Sequence, residues 1–368
     1  MAIRSSAQRV DNGGESLSHP EALRIAVVGG GTGLSNVLRG LCSLLFHGTA
    51  RNQENGIPDR LVAIVTTTDD GGSSGRLQRE LGSIPAGDIR NCLAAIADRS
   101  LMTELFQYRF SGGDGLAGHA LGNLILAALA EITGDFTKAI EIAASLVGAR
   151  GQVVPATADR VMLSAELLDG RTVVGETAIT GAGVPIRRLS LVPEAPRPVD
   201  QAVEALRQAN VILVGPGSLY TSVLPPLLVP EIRDALQESL ALKIFVLNLM
   251  TEPGETEGFD AIRHLEVVRA HVDVPFDCVI FNTSPIAPPL ATTYAAAGSY
   301  PISVTTRDIA TIRKMRVQPL GAPLASDGPP GKIRHHPARL AATIAACARF
   351  DGRRAFRPCE ENNVRTLL

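Results

Sequence analysis

Apolar and polar positions along this chain follow two rhythms. Near-continuous apolar runs occur at residues 24–28 ("RIAVV"), 61–68 ("LVAIVTTT"), 210–214 ("NVILV"), 243–249 ("KIFVLNL") and 276–282 ("FDCVIFN"). Such runs read as strands covered on both faces, as in a parallel sheet. Between them lie segments of helical spacing at 34–45, 199–209, 230–240 and 258–271, with a helical block from about 88 to 147. The stretch "VMLSAELLDGRTVVGETAI" predicts a hairpin-like pair turning at Asp169-Gly170, and "HPARLAATIAACARF" predicts a closing amphipathic helix.

The order strand, glycine turn, helix, strand at 24–68 is a βαβ unit. The expected fold is α/β: a Rossmann-like, doubly wound, mainly parallel sheet with a helical insertion and a small β excursion. Residues 1–22 are expected to be a disordered leader, 23–350 the α/β domain with a polar loop at 47–59, and 351–368 a flexible tail.

Composition removes several classes. A net charge of -2 over 368 residues carries no basic excess, so no nucleic-acid partner is expected. Five scattered cysteines, none in a C-x-x-C pair, suit a reducing cytosol rather than a disulfide framework or a zinc site. The apolar run "LGNLILAALAEI" is interrupted by Asn123 and too short to span a bilayer, and the N-terminus lacks the apolar core of a secretory signal. No membrane insertion is expected, and the cytoplasm is the expected location.

Candidate chemistry collects in loops that follow the strands, where parallel sheets bind ligands. In Gly29-Gly30-Gly31-Thr32-Gly33, amides leading into a helix can hold an anion; a plain tight turn is the alternative. After the second strand, Asp69 and Asp70 can accept from sugar hydroxyls or help hold Mg²⁺, and Gly71, Gly72, Ser73, Ser74 and Gly75 read as a phosphate-wrapping loop. Here the alternative is Asp and Gly as loop formers. Gly217 and Ser218 in "GPGSLYTSVLP", and Asn248 and Thr251 in "NLMTEPGETEGF", add flexible backbone and polar groups. Phe259 offers a base-stacking face or a core side chain. His119 and Asn123 share a helical face; the histidine reads as a general base, a phosphate ligand or a packing residue. His335 and His336 read as the approach to a helix.

Several enzyme signatures are missing. The dinucleotide frame from Gly31 meets Asn36 where a small residue is needed, and no acid follows at the usual spacing, which argues against an NAD-dependent dehydrogenase. There is no nucleophile elbow and no P-loop.

Taken in order, "VVGGGTGLSNVLRGL", "TTTDDGGSSGRL", "PAGDIRNCLAAIAD", "GHALGNL", "GPGSLYTSVLP" and "NLMTEPGETEGF" resemble the motifs of the YvcK-type gluconeogenesis factor family over roughly residues 24–350. That family falls in one superfamily with the CofD-like 2-phospho-L-lactate transferases. The resemblance implies a cytoplasmic regulator that binds UDP-sugars such as UDP-N-acetylglucosamine and supports cell shape and envelope growth on gluconeogenic carbon sources. It also implies protein partners in envelope synthesis; a homo-oligomer is expected. The enzyme alternative is Mg²⁺-assisted transfer of a phospholactyl group from a nucleotide-activated donor to a deazaflavin. By the same resemblance Gly30, Gly31, Thr32, Gly33, Asp69, Asp70, Ser73, Asn123, Gly217, Ser218, Asn248 and Thr251 would line the site. One departure is Thr293 before Tyr294, where the family often has a basic residue; it bears on any diphosphate contact from that segment.

Overall fold

The structure, a computed structural model, describes residues 23–46, 60–328 and 331–350. The expected leader (1–22), polar loop (47–59) and tail (351–368) lie outside the described residues. In chain order, β1 (Ile25–Gly29), α1 (Gly31–Phe46) and β2 (Leu61–Val65) form the first βαβ unit. A helical insertion follows: α2 (Gly72–Leu81), α3 (Gly87–Ile96), α4 (Leu101–Gln107), α5 (Leu121–Thr133) and α6 (Phe136–Val147), leading to β3 (Gln152–Pro155). The β excursion comprises β4 (Met162–Leu167), β5 (Thr172–Val174), α7 (Glu176–Thr180) and β6 (Ile186–Val192). Next come α8 (Asp200–Gln208), β7 (Val211–Val214), a π-helical turn (Leu219–Val223), α9 (Leu224–Leu227), α10 (Pro230–Glu238) and β8 (Leu242–Val246). The last part contains α11 (Ala261–Val272), β9 (Cys278–Asn282), α12 (Pro288–Ala296), α13 (Thr306–Lys314) and β10 (Gln318–Ala322). The hairpin β11 (Ala325–Gly328) and β12 (Lys332–His335) and the helix α14 (Pro337–Phe350) complete it.

Seven strands pair in the order β10-β9-β8-β7-β1-β2-β3, every pair parallel. The fold is therefore the expected α/β doubly wound sheet, and winding reverses between β1 and β7. The strands read as unbroken apolar runs because both sheet faces are covered: Ala26 and Val28 pack into one core, Ile25 and Val27 into the other. The expected hairpin is present as β4 and β5, joined by β6 into a three-stranded antiparallel sheet.

One local expectation is corrected. The segment read as a phosphate-wrapping loop is the first turn of α2, which starts at Gly72 and buries Ser73, Ser74 and Gly75. Small residues serve packing there: a methyl group on Gly75 would overlap the Asp70 carbonyl.

α1 is buried along Leu34, Leu38 and Leu41, and α14 crosses it at Gly40, where a methyl group would overlap the Pro337 carbonyl. Gly40→Ala should therefore destabilise the protein by about 1–3 kcal/mol through overpacking, although alanine is the better helix former by about 1 kcal/mol. Urea unfolding reads the difference, and an unchanged or higher midpoint would show that the two helices yield at this crossing.

Candidate ligand-binding site

The carboxyl ends of β1, β7 and β8 open into a cavity of about 360 Å³ at the point where winding reverses. That is the position at which open α/β sheets bind ligands. A larger cavity of about 1130 Å³ lies at the other end of the strands, against α8. It contains no strand-end glycine turn, and the smaller cavity is the better candidate.

Seven of the sequence-derived residues line the smaller cavity: Gly31, Thr32, Gly33, Gly217, Ser218, Asn248 and Thr251. The glycine turn enters α1 directly, and the amides of Thr32 and Gly33 have no acceptor among the described residues. They sit at the positive end of a helix dipole. Gly33 is pressed against the turn after β7, the neighbouring strand, since a methyl group there would overlap the Pro216 carbonyl. Asn248 braces that turn from the other side: its Oδ1 accepts from the Gly217 amide at 3.2 Å and its Nδ2 donates to the Gly217 carbonyl at 2.8 Å. Thr251 is similarly spent, accepting from the Tyr300 amide at 2.9 Å.

The remaining candidates lie outside the lining. Gly30 packs between Asp88, Thr66 and Ser222. Asp69 accepts from the Gly71 amide at 2.9 Å, where α2 begins. Asp70 accepts from the amide and hydroxyl of Thr177 at 3.0 and 2.6 Å, where α7 begins. Ser73 bonds His119 Nδ1 at 3.0 Å and accepts from Asn123 Nδ2 at 3.2 Å; Asn123 Oδ1 accepts from Arg90 Nε at 2.8 Å. This buried chain fastens α2, α3 and α5 to one another. Phe259 packs on the core, edge-on to Tyr220 and His264 with the Arg263 guanidinium 5.6 Å above its ring. The structure gives it packing partners and not a place in the cavity wall.

Sequence reading missed the far wall. Glu252, Tyr294, Ser299, Arg334 and His335 complete the lining. Thr293, the departure noted in the sequence, bonds its own helix at the Pro289 carbonyl, while Tyr294 beside it reaches the cavity. His335 donates from Nε2 to the Leu247 carbonyl at 3.2 Å, and its own carbonyl accepts from Asn36, so it joins β8 to α1. Burial holds its imidazole down to about 4, so it is neutral at physiological pH. Arg334 is then the permanent cation of the lining.

Beside the glycine turn stands a group of carboxylates. Asp88 accepts from the Gly31 amide at 2.7 Å and is pushed up to about 6, by burial first, with Asp69 adding repulsion. Burial pushes Glu176 up to about 9, with further repulsion from Asp69, Asp88, Glu255 and Asp70. Arg90 is the nearby cation, and burial lowers it to about 10. Among the described residues, no three histidine, cysteine or acidic side chains come together closely enough to hold a metal ion by themselves.

Residues 25–325 match the model of the family described as "2-phospho-L-lactate transferase CofD". The chain is 44% identical over 282 residues to a gluconeogenesis factor of Halalkalibacterium halodurans, covering 76% of this chain and 84% of that protein. It is 42% identical over 288 residues to the gluconeogenesis factor of Bacillus subtilis, covering 78% and 87%. A crystal structure of a Bacillus halodurans protein superposes with a TM-score of 0.81 at 39% identity, covering 88% of this chain and all of that one.

A glutamate held up to about 9 in the fold binds a proton that the unfolded chain, near 4.5, releases. Its folded-state advantage is complete below about pH 4.5 and is lost as pH rises toward 9. Relative to the parent, Glu176→Gln should thus be near neutral at pH 4 and stabilising by roughly 1–3 kcal/mol at pH 8 without divalent cations. Denaturant titrations at several pH values test this; a gain that stays flat with pH would mean that Glu176 is not protonated in the fold.

Proposed function

The chain belongs to the gluconeogenesis factor family, within the CofD-like fold, and we propose that it is a cytoplasmic UDP-sugar-binding regulator of cell shape and envelope growth during gluconeogenesis. The observation that carries this reading is the cavity at the winding reversal, with three kinds of wall. The amides of Thr32 and Gly33 and the guanidinium of Arg334 offer a seat for a diphosphate. Tyr294, Met250 and Ala297 supply apolar lining, with one aromatic ring, for a nucleobase. Ser218 and Glu252 line the cavity with groups suited to hydroxyls, and Ser299, whose own hydroxyl donates to the Thr251 carbonyl at 2.5 Å, keeps acceptor capacity there. A volume of about 360 Å³ falls in the usual range for small-molecule sites. As a regulator the protein would act by binding UDP-sugar differently in two conformational or assembly states, including a homo-oligomer or a complex with envelope-synthesis proteins.

The second reading, phospholactyl transfer to a deazaflavin, is favoured by the family match and by the carboxylates beside the glycine turn. Asp69, Asp88 and Glu176 would hold Mg²⁺ there only together with ligand phosphates and water, the usual manner for this ion. Bound, Mg²⁺ would neutralise charge developing on the transferred group.

Calorimetry with UDP-N-acetylglucosamine, GDP and NAD, with and without Mg²⁺, tests the regulator reading. Selective binding of the UDP-sugar is expected, and Arg334→Ala should weaken it about ten- to a hundredfold, the usual worth of a charge-assisted hydrogen bond. Stronger binding of NAD, or turnover of activated phospholactate and deazaflavin at about one per second or faster, would move the protein to another class.

A further inference from the structure

Two glutamates in the loop after β8, three residues apart, are used in different ways. Glu255 is 8% exposed and lies outside the cavity lining, and each of its oxygens accepts a hydrogen bond, from the Tyr220 amide at 3.1 Å and the Thr221 hydroxyl at 3.0 Å. It ties this loop to the π-helical turn after β7. Glu252 lines the cavity beside Ser218, whose hydroxyl favours its ionised form. The nearest other donor is Asn248 Nδ2 at 3.5 Å, the limit of a hydrogen bond. Arg334 lowers its pKa through space, yet burial outweighs that and raises the carboxyl above its ordinary range. An ionised carboxylate has about four acceptor positions, and among the described residues Glu252's meet only the Asn248 amide at that limit and the neighbouring Ser218 hydroxyl. A desolvated acid with acceptor capacity to spare in a cleft is costly for the fold and useful to a ligand.

Resting on the reading that this cavity takes a UDP-sugar, we propose that Glu252 is the specificity-determining residue that separates UDP-sugar from UDP. Its vacant acceptor positions take hydrogen bonds from hydroxyl or acetamido N–H groups of the sugar, while the α1 amides and Arg334 hold the diphosphate. The discrimination has two signs. A sugar brings donors to the carboxylate and esterifies the terminal phosphate. UDP brings no such donors, and its terminal phosphate carries more negative charge toward a negative side chain.

Calorimetry of the full chain with UDP-N-acetylglucosamine, UDP-glucose and UDP tests this in the parent, Glu252→Gln and Glu252→Asp. Glu252→Gln should bind both UDP-sugars about tenfold or more weakly and UDP as well as or better than the parent, with the melting temperature unchanged or higher. Glu252→Asp, which keeps the charge, should restore part of the preference. Glu255→Gln serves as the control: it should lower the melting temperature and leave the sugar-to-UDP ratio intact. An unaltered ratio in Glu252→Gln, or an equal change of ratio in Glu255→Gln, overturns the proposal. If the parent binds none of the three ligands, it is the UDP-sugar reading that fails.

Discussion

The site depends on two strand-end turns touching backbone to backbone. Winding reverses between β1 and β7, so their following segments diverge to opposite faces of the sheet and leave a crevice. Gly33 meets the Pro216 carbonyl with no space for a side chain, and Asn248 clasps Gly217 from β8. That contact brings the open amides of α1 to the same edge as the loops after β7 and β8. Separated by even one side chain, these groups would form two unrelated loops.

Around this contact the acids divide into joints and one that lines the cavity. Asp69 and Asp70 act at helix starts, accepting amides that have no partner in their own helices, and so anchor the helical insertion and the β excursion to one strand end. Glu255 does comparable work between the loops after β7 and β8. Glu252 alone of these lines the cavity. Asp69 and Asp70, expected to read a ligand's hydroxyls, lie outside the cavity lining with oxygens already bonded to Gly71 and Thr177.

Most of the sheet was legible because buried parallel strands are written as unbroken apolar runs, a signal that survives without partners. The two edge strands, β3 and β10, were missed: their sequences, QVVP and QPLGA, are broken by polar, proline or glycine positions and give no continuous apolar run. Glycine turns marked the near wall of the cavity, since a turn and a helix start are local in sequence. The far wall was not legible. Arg334 and His335 sit on a short hairpin strand with no motif of their own, and only tertiary packing brings them opposite Gly31. Asp69, Asp70, Ser73 and Asn123 illustrate the reverse limit, because a polar residue near a glycine turn reads the same whether it meets a ligand or another helix. The family resemblance marked segments that line the cavity together with segments that do not, without separating those roles.

The place of Arg334 and His335 in the cavity also sets an order of assembly. During synthesis Gly31 leaves the ribosome about three hundred residues before Arg334. The sheet from β1 to β8 can then form with the near wall in place while the cation and the β8-to-α1 link through His335 are still missing. A partly made chain would have the shape of the fold with an open, weakly binding cleft. The complete cavity lining would arrive only when the β11–β12 hairpin docks, and the affinity proposed for an anionic nucleotide would reach its full value in the finished molecule.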